Sequence, residues 1–460
     1  IAGGPQADNP EPVADFVDLV VLGDGEESMK AILVAYSELR AGGMGRRDMI
    51  LVMARKFEWI YAPSLYDVAY KPDGSVRTIT PNVEGVPPRI ERCQTPDFED
   101  APFPVRPLVP FTDVIHDRIA IEIMRGCPQR CRFCHAGYTK RPLRLRSVER
   151  VLDMADEMWR TTGMDEMGLL SLSTADYPDL RELTQRVNER FAPRGVNISV
   201  PSLRVDKMLA EIPAMVSSVK KSGLTIAVEA ARDDMRAAIR KKVTDGQLLD
   251  GVRAAFEAGW KSVKLYFMAG FPGERDEDID GIVDLSREVS ALRREISGAP
   301  ASVTASVGWL VPKPYTPFQW MAQPEPDYFR EVRDRLRTAN RSKRSAVRVK
   351  THDVERSSLE AVFSRGDRRL APVVEKAWRL GARFDGWDEA FKPLLWRQAF
   401  EETGVDPAFY AHRERPANEV FPWVHLHGGA PDAYLRNQYE DVFTHIRGGN
   451  DSIPLPVLAS

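Results

Sequence analysis

Two kinds of apolar pattern alternate between residues 119 and 310. One kind places apolar residues at every second position, which is typical of a strand with one buried face. Six stretches have this pattern: residues 119–123, 170–172, 196–200, 224–228, 263–267 and 303–307. The other kind spaces apolar residues three or four apart, as over residues 149–160 and 247–257, which predicts amphipathic helices. Strands that alternate with helices indicate parallel β/α units.

The predicted fold class is α/β, with a partial (β/α)6 TIM-like barrel over residues 112–325. Ten prolines between residues 60 and 112 exclude long helices and central strands, so residues 31–111 are expected to be a connecting region. Helical periods dominate residues 326–460, and we expect a mostly helical C-terminal domain there.

The N-terminal residues have the pattern of an α/β unit. Residues 15–22 carry an apolar run that predicts a short buried strand. Gly23-Asp-Gly-Glu-Glu27 predicts a helix start, because acidic residues are favoured in the first turn of a helix. The chain begins at Ile1, inside what looks like a folded unit, and we expect a fragment of a longer protein.

Composition places the chain among globular proteins, with 460 residues, 43% apolar and 28% charged. Sixty-four basic and 67 acidic residues give a net charge of -3, which excludes a global attraction to nucleic acid or anionic lipid. No apolar run reaches the 18 residues or so that a transmembrane helix needs, and we expect no membrane partner. Four cysteines and no secretory signal predict a cytoplasmic protein.

Three of the four cysteines lie within eight residues, directly after the first predicted barrel strand: Cys127, Cys131 and Cys134. Structural zinc takes four ligands, and His135 is poorly placed as the fourth because it adjoins Cys134. Three thiolates on a tight loop suit an iron–sulfur cluster with one iron left open. Zinc and inert thiols remain as alternatives. Cys93, far upstream, is expected to be a small buried residue.

Polar or flexible residues follow three further predicted strands. Ser173 and Thr174 follow the second strand, Glu229 ends the fourth, and Gly270-Phe-Pro-Gly-Glu274 follows the fifth. Reactive groups of a parallel barrel gather at the C-terminal ends of its strands, so these residues should share one rim with the cysteines. Glu229 is expected to point inward, since side chains alternate along a strand and the outer helices should cover Leu224, Ile226 and Val228.

The cysteine motif resembles that of the radical S-adenosylmethionine (SAM) enzymes, Cys-x3-Cys-x2-Cys with an aromatic residue, here Phe133, before the last cysteine. The resemblance covers roughly residues 112–325. It implies a [4Fe–4S] cluster on Cys127, Cys131 and Cys134, whose open iron chelates the amino and carboxylate groups of SAM. An electron from a reductase or flavodoxin-type donor then cleaves SAM to methionine and a 5′-deoxyadenosyl radical.

The same resemblance implies a set of cofactor contacts. They are Phe133, Ser173, Glu229, Arg240, Gly270 and Gly273. Glu229 would accept hydrogen bonds from the ribose or the SAM ammonium, and Arg240 would pair with the SAM carboxylate. The glycines would let the backbone pass close to the adenine. The alternatives are a barrel salt bridge for Glu229, a solvated helix face for Arg240 and a plain strand-to-helix turn for residues 270–274.

Glycine- and proline-rich motifs flank the barrel. Gly3-Gly-Pro5, Asn9-Pro-Glu-Pro12 and Gly23–Glu27 look like the last third of a Rossmann-like cobalamin-binding domain, so residues 1–30 are expected to be its incomplete end. The C-terminal side carries further motifs, at residues 311–320, 364–369 and 384–387. Together they resemble an uncharacterised bacterial group in which a cobalamin-binding domain precedes a radical SAM barrel. The Asp-x-His-x-x-Gly stretch for the lower cobalt ligand would lie before Ile1, so cobalamin is implied only by the resemblance.

The predicted function is radical SAM chemistry on an unknown substrate, with methylation as the outcome where cobalamin binds. A first alternative is a cobalamin-independent radical SAM enzyme that modifies RNA or a protein. It draws on two basic stretches, residues 138–150 and 341–350, which hold five basic residues each and either bind phosphates or face solvent. A second alternative is a zinc-dependent nucleic-acid-binding module without catalysis.

Overall fold

The computed structural model describes residues 1–447 except residues 6, 113, 115, 116, 200–223 and 342–345. Strands β1 (Val20–Val21) and β2 (Ile60–Tyr61) pair antiparallel near the N-terminus, and α1 (Gly25–Ala41) and α2 (Arg46–Lys56) lie between them in the chain. The strand predicted over residues 15–22 is shorter than expected, because a 3-10 helix with proline in its first turn occupies Glu11–Phe16. The helix start predicted at Gly23–Glu27 is confirmed.

A hairpin and an extended segment connect this unit to the barrel. The hairpin consists of β3 (Tyr66–Tyr70) and β4 (Val76–Pro81), which pair antiparallel. The extended segment lies along the N-terminal unit, where the Cys93 amide donates to the Leu22 carbonyl at 2.9 Å. The prolines thus permit a short hairpin, which the sequence did not predict.

The first half of the barrel is a three-stranded parallel sheet of order β5-β8-β9. Its elements are β5 (Ile119–Glu122), β6 (Met124–Arg125), α3 (His135–Thr139), β7 (Arg144–Leu145), α4 (Val148–Thr162), β8 (Glu166–Leu170), α5 (Leu180–Phe191) and β9 (Asn197–Ser199). The short strands β6 and β7 form a separate antiparallel pair beside the sheet.

The second half is a four-stranded parallel sheet of order β10-β11-β12-β13. Its elements are β10 (Leu224–Glu229), α6 (Asp233–Ala238), α7 (Asp245–Glu257), β11 (Ser262–Ala269), α8 (Asp276–Ser297), β12 (Ser302–Trp309), α9 (Pro326–Ala339) and β13 (Val347–Thr351). Apolar side chains of this sheet and of α7, α8 and α9 form one buried core. Two parallel sheets with helices between their strands confirm the predicted α/β class.

The predicted second strand is displaced. Strand β8 begins at Glu166, and its buried side chains are Met167 and Leu169. Leu170 and Leu172, which carried the prediction, are 54% and 47% exposed. Met167 and Leu169 lie on one face of the strand, and Leu170 and Leu172 follow the alternation of the opposite face. The alternation alone does not tell which of the two faces is buried in the core. Val200, in the third predicted strand, lies outside the described residues.

Strand β13 lies in the region expected to be helical. It pairs in parallel with β12 from Val303↔Val347 to Val307↔Thr351, so the sheet continues past residue 325. Arg348 and Lys350 are exposed on this strand, which makes their basic stretch part of a sheet edge rather than a helix face. Lys343 and Arg344 lie outside the described residues. The domain boundary at residues 325 and 326 stays a prediction.

The rest of the described C-terminal part is mostly helical, as predicted. The helices are α10 (Val354–Arg365), α11 (Ala371–Leu380), α12 (Pro393–Thr403), α13 (Pro407–Ala411) and α14 (Asp432–Arg447). Among the helices of the described residues, none combines the length and the apolar character that crossing a bilayer requires.

Two motifs from opposite ends of the chain meet in what we name the terminal clasp: Asn9, Glu11, Ser364, Gly366 and Arg368. Asn9 Nδ2 donates to the carbonyls of Ser364 at 3.1 Å and Gly366 at 3.0 Å. The Arg368 guanidinium donates to Glu11 at 2.9 Å. Glu11 is only 1% exposed, so the acidic partner of this ion pair is buried. The clasp joins the N-terminal unit to the C-terminal helices.

Candidate active site

The cysteine loop joins β6 to α3 and begins at a glycine that no other residue can replace without strain. Gly126 has φ +92°, and a Cβ there would lie 2.6 Å from the Lys140 carbonyl oxygen. The three thiols that follow are half-buried. The Gly137 amide donates to the Cys134 carbonyl at 3.1 Å, because α3 starts directly after that cysteine, and the amides of Gly137 and Ala136 act to lower the pKa of the Cys134 thiol against the larger effect of burial.

The donor set fits an iron–sulfur cluster. Burial raises the pKa of the Cys131 thiol to about 11 and raises that of Cys134, although the Lys241 ammonium opposes both shifts, so both thiols stay protonated at neutral pH. Bound metal reverses this, because thiolates are its ligands. Within the described part of the chain, no three His, Cys, Asp or Glu side chains form a group that fits a single metal ion.

Cys93 is a small buried residue beside α1, as expected. It is 9% exposed and packs next to Ser28 of α1. Burial raises the pKa of its thiol, which keeps the sulfur neutral. Its position is that of a structural residue.

Glu229 and Lys241 form an ion pair that faces the cysteines. The Lys241 ammonium lies 3.3 Å from the Glu229 carboxylate, and both side chains are 14% exposed. Both charges act on the pKa of Cys131, after the larger effect of burial, which places the pair beside the loop. Leu224, Ile226 and Val228 point the other way, into the core beneath α7 and α8, as predicted.

Lys241, the ion-pair partner of Glu229, is not among the site residues that the sequence predicted. Arg240, the predicted SAM-carboxylate partner, has φ +56° and is half-buried. Its charge acts on Arg132 in the cysteine loop, so it too lies near the cluster site. Residues 240–242 are all basic, and the sequence alone does not show which of them pairs with Glu229. The left-handed backbone conformation of Arg240 sets the direction of each side chain. The SAM contacts of Glu229 and Arg240 stay predictions.

Ser173 connects the second strand to the cysteine loop. Its hydroxyl donates to Asp176 at 2.7 Å, and Gln129, inside the loop, donates to both oxygens of the same carboxylate at 3.0 Å. Ser173 lies three residues beyond β8 and is 6% exposed. Its predicted contact with SAM remains a prediction, beside this observed contact with Asp176.

Gly270 and Gly273 make the turn after β11 fit against neighbouring side chains. Both have positive φ, +103° and +68°. A Cβ at Gly270 would lie 2.9 Å from the Phe329 ring, and one at Gly273 would lie 2.8 Å from Ile446 of α14. Both positions therefore require glycine for conformation and for space.

The same turn packs against the cysteine loop. The ring of Phe271 lies 6.2 Å from Phe133 and 6.5 Å from Phe318, measured between centroids. Glu274 closes the turn by accepting from the Gly270 amide at 2.7 Å and from the Tyr328 hydroxyl. The aromatic residue of the cysteine motif thus rests on the segment that the resemblance assigns to the adenine.

The N-terminal acidic loop docks on the same rim. Arg125, two residues before Cys127, contacts the carboxylates of Glu26 at 2.6 Å, Glu122 at 2.7 Å and Asp24 at 3.2 Å. These carboxylates are partly buried, and Arg125 together with Arg144, which also contacts Asp24, offsets part of their negative charge. The motif at Gly23–Glu27 therefore both starts α1 and fixes it to the barrel.

A second N-terminal contact reaches the cysteine loop itself. Asp8 is 2% exposed and lies 2.7 Å from Arg92 and 3.1 Å from His135 Nε2. Burial acts to raise the pKa of Asp8, but His135 and Arg92 outweigh it and leave the pKa lowered. The residue next to Cys134 is thus held by the N-terminal unit.

A cleft of about 790 Å³ lies between the N-terminal loops and the ends of β5 and β8. Its floor includes Gly126, next to the first cysteine, and its walls include the exposed Leu170 and Leu172. The N-terminal side contributes two loops: residues 4–5 and 23–26.

The basic stretch at residues 138–150 is used within the protein. Arg146 is 1% exposed and stacks on Phe98 at 4.4 Å. Arg141 donates to the Gly137 carbonyl at 3.0 Å. These arginines satisfy carbonyls and rings of their own chain, which removes the argument that they present charge to phosphates.

The fold and the loop together describe a protein of parallel β/α units with three cysteines in the loop after β6. The profile of the radical SAM superfamily matches residues 121–286, and that of radical SAM protein N-termini matches residues 1–63. The chain thus has a radical SAM domain over residues 121–286, and the enzymes of that superfamily use a [4Fe–4S] cluster and SAM. The alternative of a non-catalytic zinc module is therefore wrong.

Three similar proteins illustrate the relationship. An uncharacterized protein of Methanocaldococcus jannaschii is 25% identical over 82% of this chain and 72% of its own length. The ribosomal protein uS12 methylthiotransferase RimO of Paramagnetospirillum magneticum is 24% identical over 41% of this chain and 47% of its own length. The solved radical SAM methyltransferase TsrM of Kitasatospora setae has a TM-score of 0.45 and 14% identity, over 69% of this chain and 58% of its own. The matches to the latter two span only about half of those proteins.

Proposed function

We propose that this enzyme uses the SAM-derived radical in the methylation of an unknown substrate, with cobalamin bound in the cleft beside the cysteine loop. The observation that carries the proposal is the cleft itself. Both N-terminal loops that resemble a cobalamin-binding domain line it, and Gly126 places it next to the cluster site. Cobalamin, when bound, supplies a methyl carrier.

The lining residues fit a large, mostly apolar cofactor face. Met29, Leu170 and Leu172 provide apolar walls. Gly4 has φ +91° with no atom within 4 Å of its Cβ position, so its backbone is open to the cleft. None of the described lining residues is a histidine, so the cleft offers cobalt no imidazole ligand.

Four residues near the cysteine loop are assigned to SAM binding. We infer that Glu229 and Lys241 orient the polar groups of SAM, and that Phe133 and Phe271 exclude water from its adenine side. A reductase or flavodoxin-type protein supplies the electron.

The test is anaerobic reconstitution with iron and sulfide, followed by incubation with hydroxocobalamin and removal of free cofactor. The wild-type protein should retain cobalamin by visible absorbance and form 5′-deoxyadenosine from SAM with reductant. Leu172→Arg should lose cobalamin but keep its iron, because it fills the cleft without touching the cysteines. Leu394→Arg, at an exposed leucine of α12, is the matched control.

A wild-type protein that cleaves SAM but retains no cobalamin would contradict the cobalamin assignment and favour the cobalamin-independent alternative. Equal retention by Leu172→Arg and wild type would move the binding site out of this cleft.

A further inference from the structure

The cysteine loop carries a buried arginine whose role the function above does not explain. Arg132, between Cys131 and Phe133, has a side-chain exposure of 0%. Its backbone amide donates to the Ile239 carbonyl at 3.0 Å, and its guanidinium donates to the Ala238 carbonyl. A buried guanidinium is costly unless a charge partner compensates it.

That partner comes from the last described helix. The Asp441 carboxylate of α14 accepts from the Arg132 guanidinium, and Gln438 lies one turn earlier at 3.4 Å. Burial lowers the pKa of Arg132 and Asp441 opposes that effect. Both partners lie on one face of α14, because residues three or four apart on a helix are neighbours.

The same helix contacts the loop at a second point and reaches the turn after β11. The Tyr434 hydroxyl accepts from Arg130 at 3.0 Å, and the guanidinium lies 5.4 Å from the tyrosine ring. Ile446 fills the space in front of Gly273. One helix therefore touches both the cysteine loop and the segment assigned to the adenine.

Helix α14 is itself firmly held. Its apolar side chains Leu435, Tyr439, Val442 and Phe443 are buried in a core that they share with apolar residues of the segment 310–321 after β12. The Tyr439 ring lies 6.4 Å from Phe318 and 6.2 Å from Trp320. Asp441 thus projects from a rigid element, which is what a positioning role requires.

We propose that Asp441 is a positioning residue for the cluster site, which holds Arg132 and so fixes the backbone between Cys131 and Cys134. The C-terminal region then belongs to the catalytic apparatus and is more than an appendage. The proposal is independent of cobalamin, since it concerns only the cysteine loop.

Hydrogen exchange on the metal-free full chain tests this, with peptides that cover residues 127–139. Asp441→Asn should exchange about tenfold faster there, as expected for the loss of one charge-assisted hydrogen bond. Asp441→Glu should restore most of the protection, because it keeps the charge. Glu440→Gln, at the exposed neighbouring acid, is the matched control and should behave as wild type.

The reconstituted proteins provide a second measurement. The electron paramagnetic resonance signal of the reduced cluster should change in Asp441→Asn and not in Glu440→Gln. Unchanged exchange and an unchanged signal in Asp441→Asn would overturn the proposal. So would an acceleration that is equally large in α4, because the effect would then be global. Should Asp441→Asn fail to fold, Arg132→Met removes the same ion pair from the side of the loop and leaves a carboxylate that is 38% exposed, and wild-type exchange over residues 127–139 in that variant would also overturn the proposal.

Discussion

Glu229 combines an unfavourable backbone conformation with a half-buried charge. Its φ of +73° lies in the left-handed region, where a non-glycine residue costs about 1–2 kcal/mol. The strand irregularity between Ala227 and Glu229 accompanies this conformation. Strain of this kind persists where the surroundings impose it, and it clusters at functional sites. The strained backbone of Glu229 therefore supports a cofactor role for this residue, beyond its ion pair with Lys241.

Glu229→Gln should weaken SAM binding by about 10- to 150-fold, which corresponds to about 1.5–3 kcal/mol for one charge-assisted hydrogen bond. Equilibrium binding of SAM to the reconstituted protein measures this. Glu257→Gln, at an exposed end of α7, serves as the control. Unchanged affinity in Glu229→Gln would make the residue a structural ion-pair partner only.

The cysteines provide a comparison within one residue type. Cys127→Ala, Cys131→Ala and Cys134→Ala should each abolish cluster assembly and SAM cleavage, because each removes one of three ligands. Cys93→Ala should keep both, since that thiol packs beside α1. Iron and sulfide analysis of the four variants decides, and full iron content with SAM cleavage in the Cys127 or Cys131 variant would refute the ligand assignment.

Among the elements, the turn between β11 and α8 has a titratable link to α9. Burial raises the pKa of Glu274 to about 7, against the hydrogen bonds from Tyr328 and Gly270 that act to lower it. Between about pH 4.5 and 7 the folded state keeps a proton that the unfolded state releases. The free energy of unfolding therefore falls as the pH rises through this window and levels off above it.

Glu274→Gln should remove this part of the pH dependence, because the amide stays neutral throughout. The wild type should lose up to about 3 kcal/mol relative to the variant between pH 4.5 and 8, at about 1.4 kcal/mol per pKa unit. Urea unfolding of the metal-free protein at several pH values measures the difference. Glu277→Gln, exposed in the first turn of α8, should track the wild type, and parallel curves for wild type and Glu274→Gln would contradict the assignment.

Sequence patterns predicted those elements whose signal is local. The spacing of three cysteines and the period of β10, β11 and β12 are read within about ten residues, and the structure has them where predicted. The phase of β8 and the strand β13 were missed, because burial and sheet pairing depend on distant neighbours. The pairing of Arg132 with Asp441 spans 309 residues, and no local pattern marks either partner.

At the scale of the whole molecule, the terminal clasp carries a buried charge that one arginine neutralises. Arg368→Ala should lower the free energy of unfolding by about 3–5 kcal/mol, because Glu11 is left buried without its partner. Arg379→Ala, in an exposed pair with Glu375, should change it by less than about 0.5 kcal/mol. Urea denaturation compares the two. Adding Glu11→Gln to Arg368→Ala should recover part of the loss, and no recovery would show that the charge is not the cause.

The terminal clasp also determines when the N-terminal unit can finish folding during synthesis on the ribosome. Glu11 and Arg368 are 357 residues apart, and synthesis at about 5–20 residues per second separates their emergence by roughly 20–70 s. During that interval the nascent N-terminal unit holds an acid without its counter-charge. Glu11 can be buried together with its partner only after the C-terminal helices have been synthesised. The N-terminal unit and the C-terminal helices therefore complete their folding together and late.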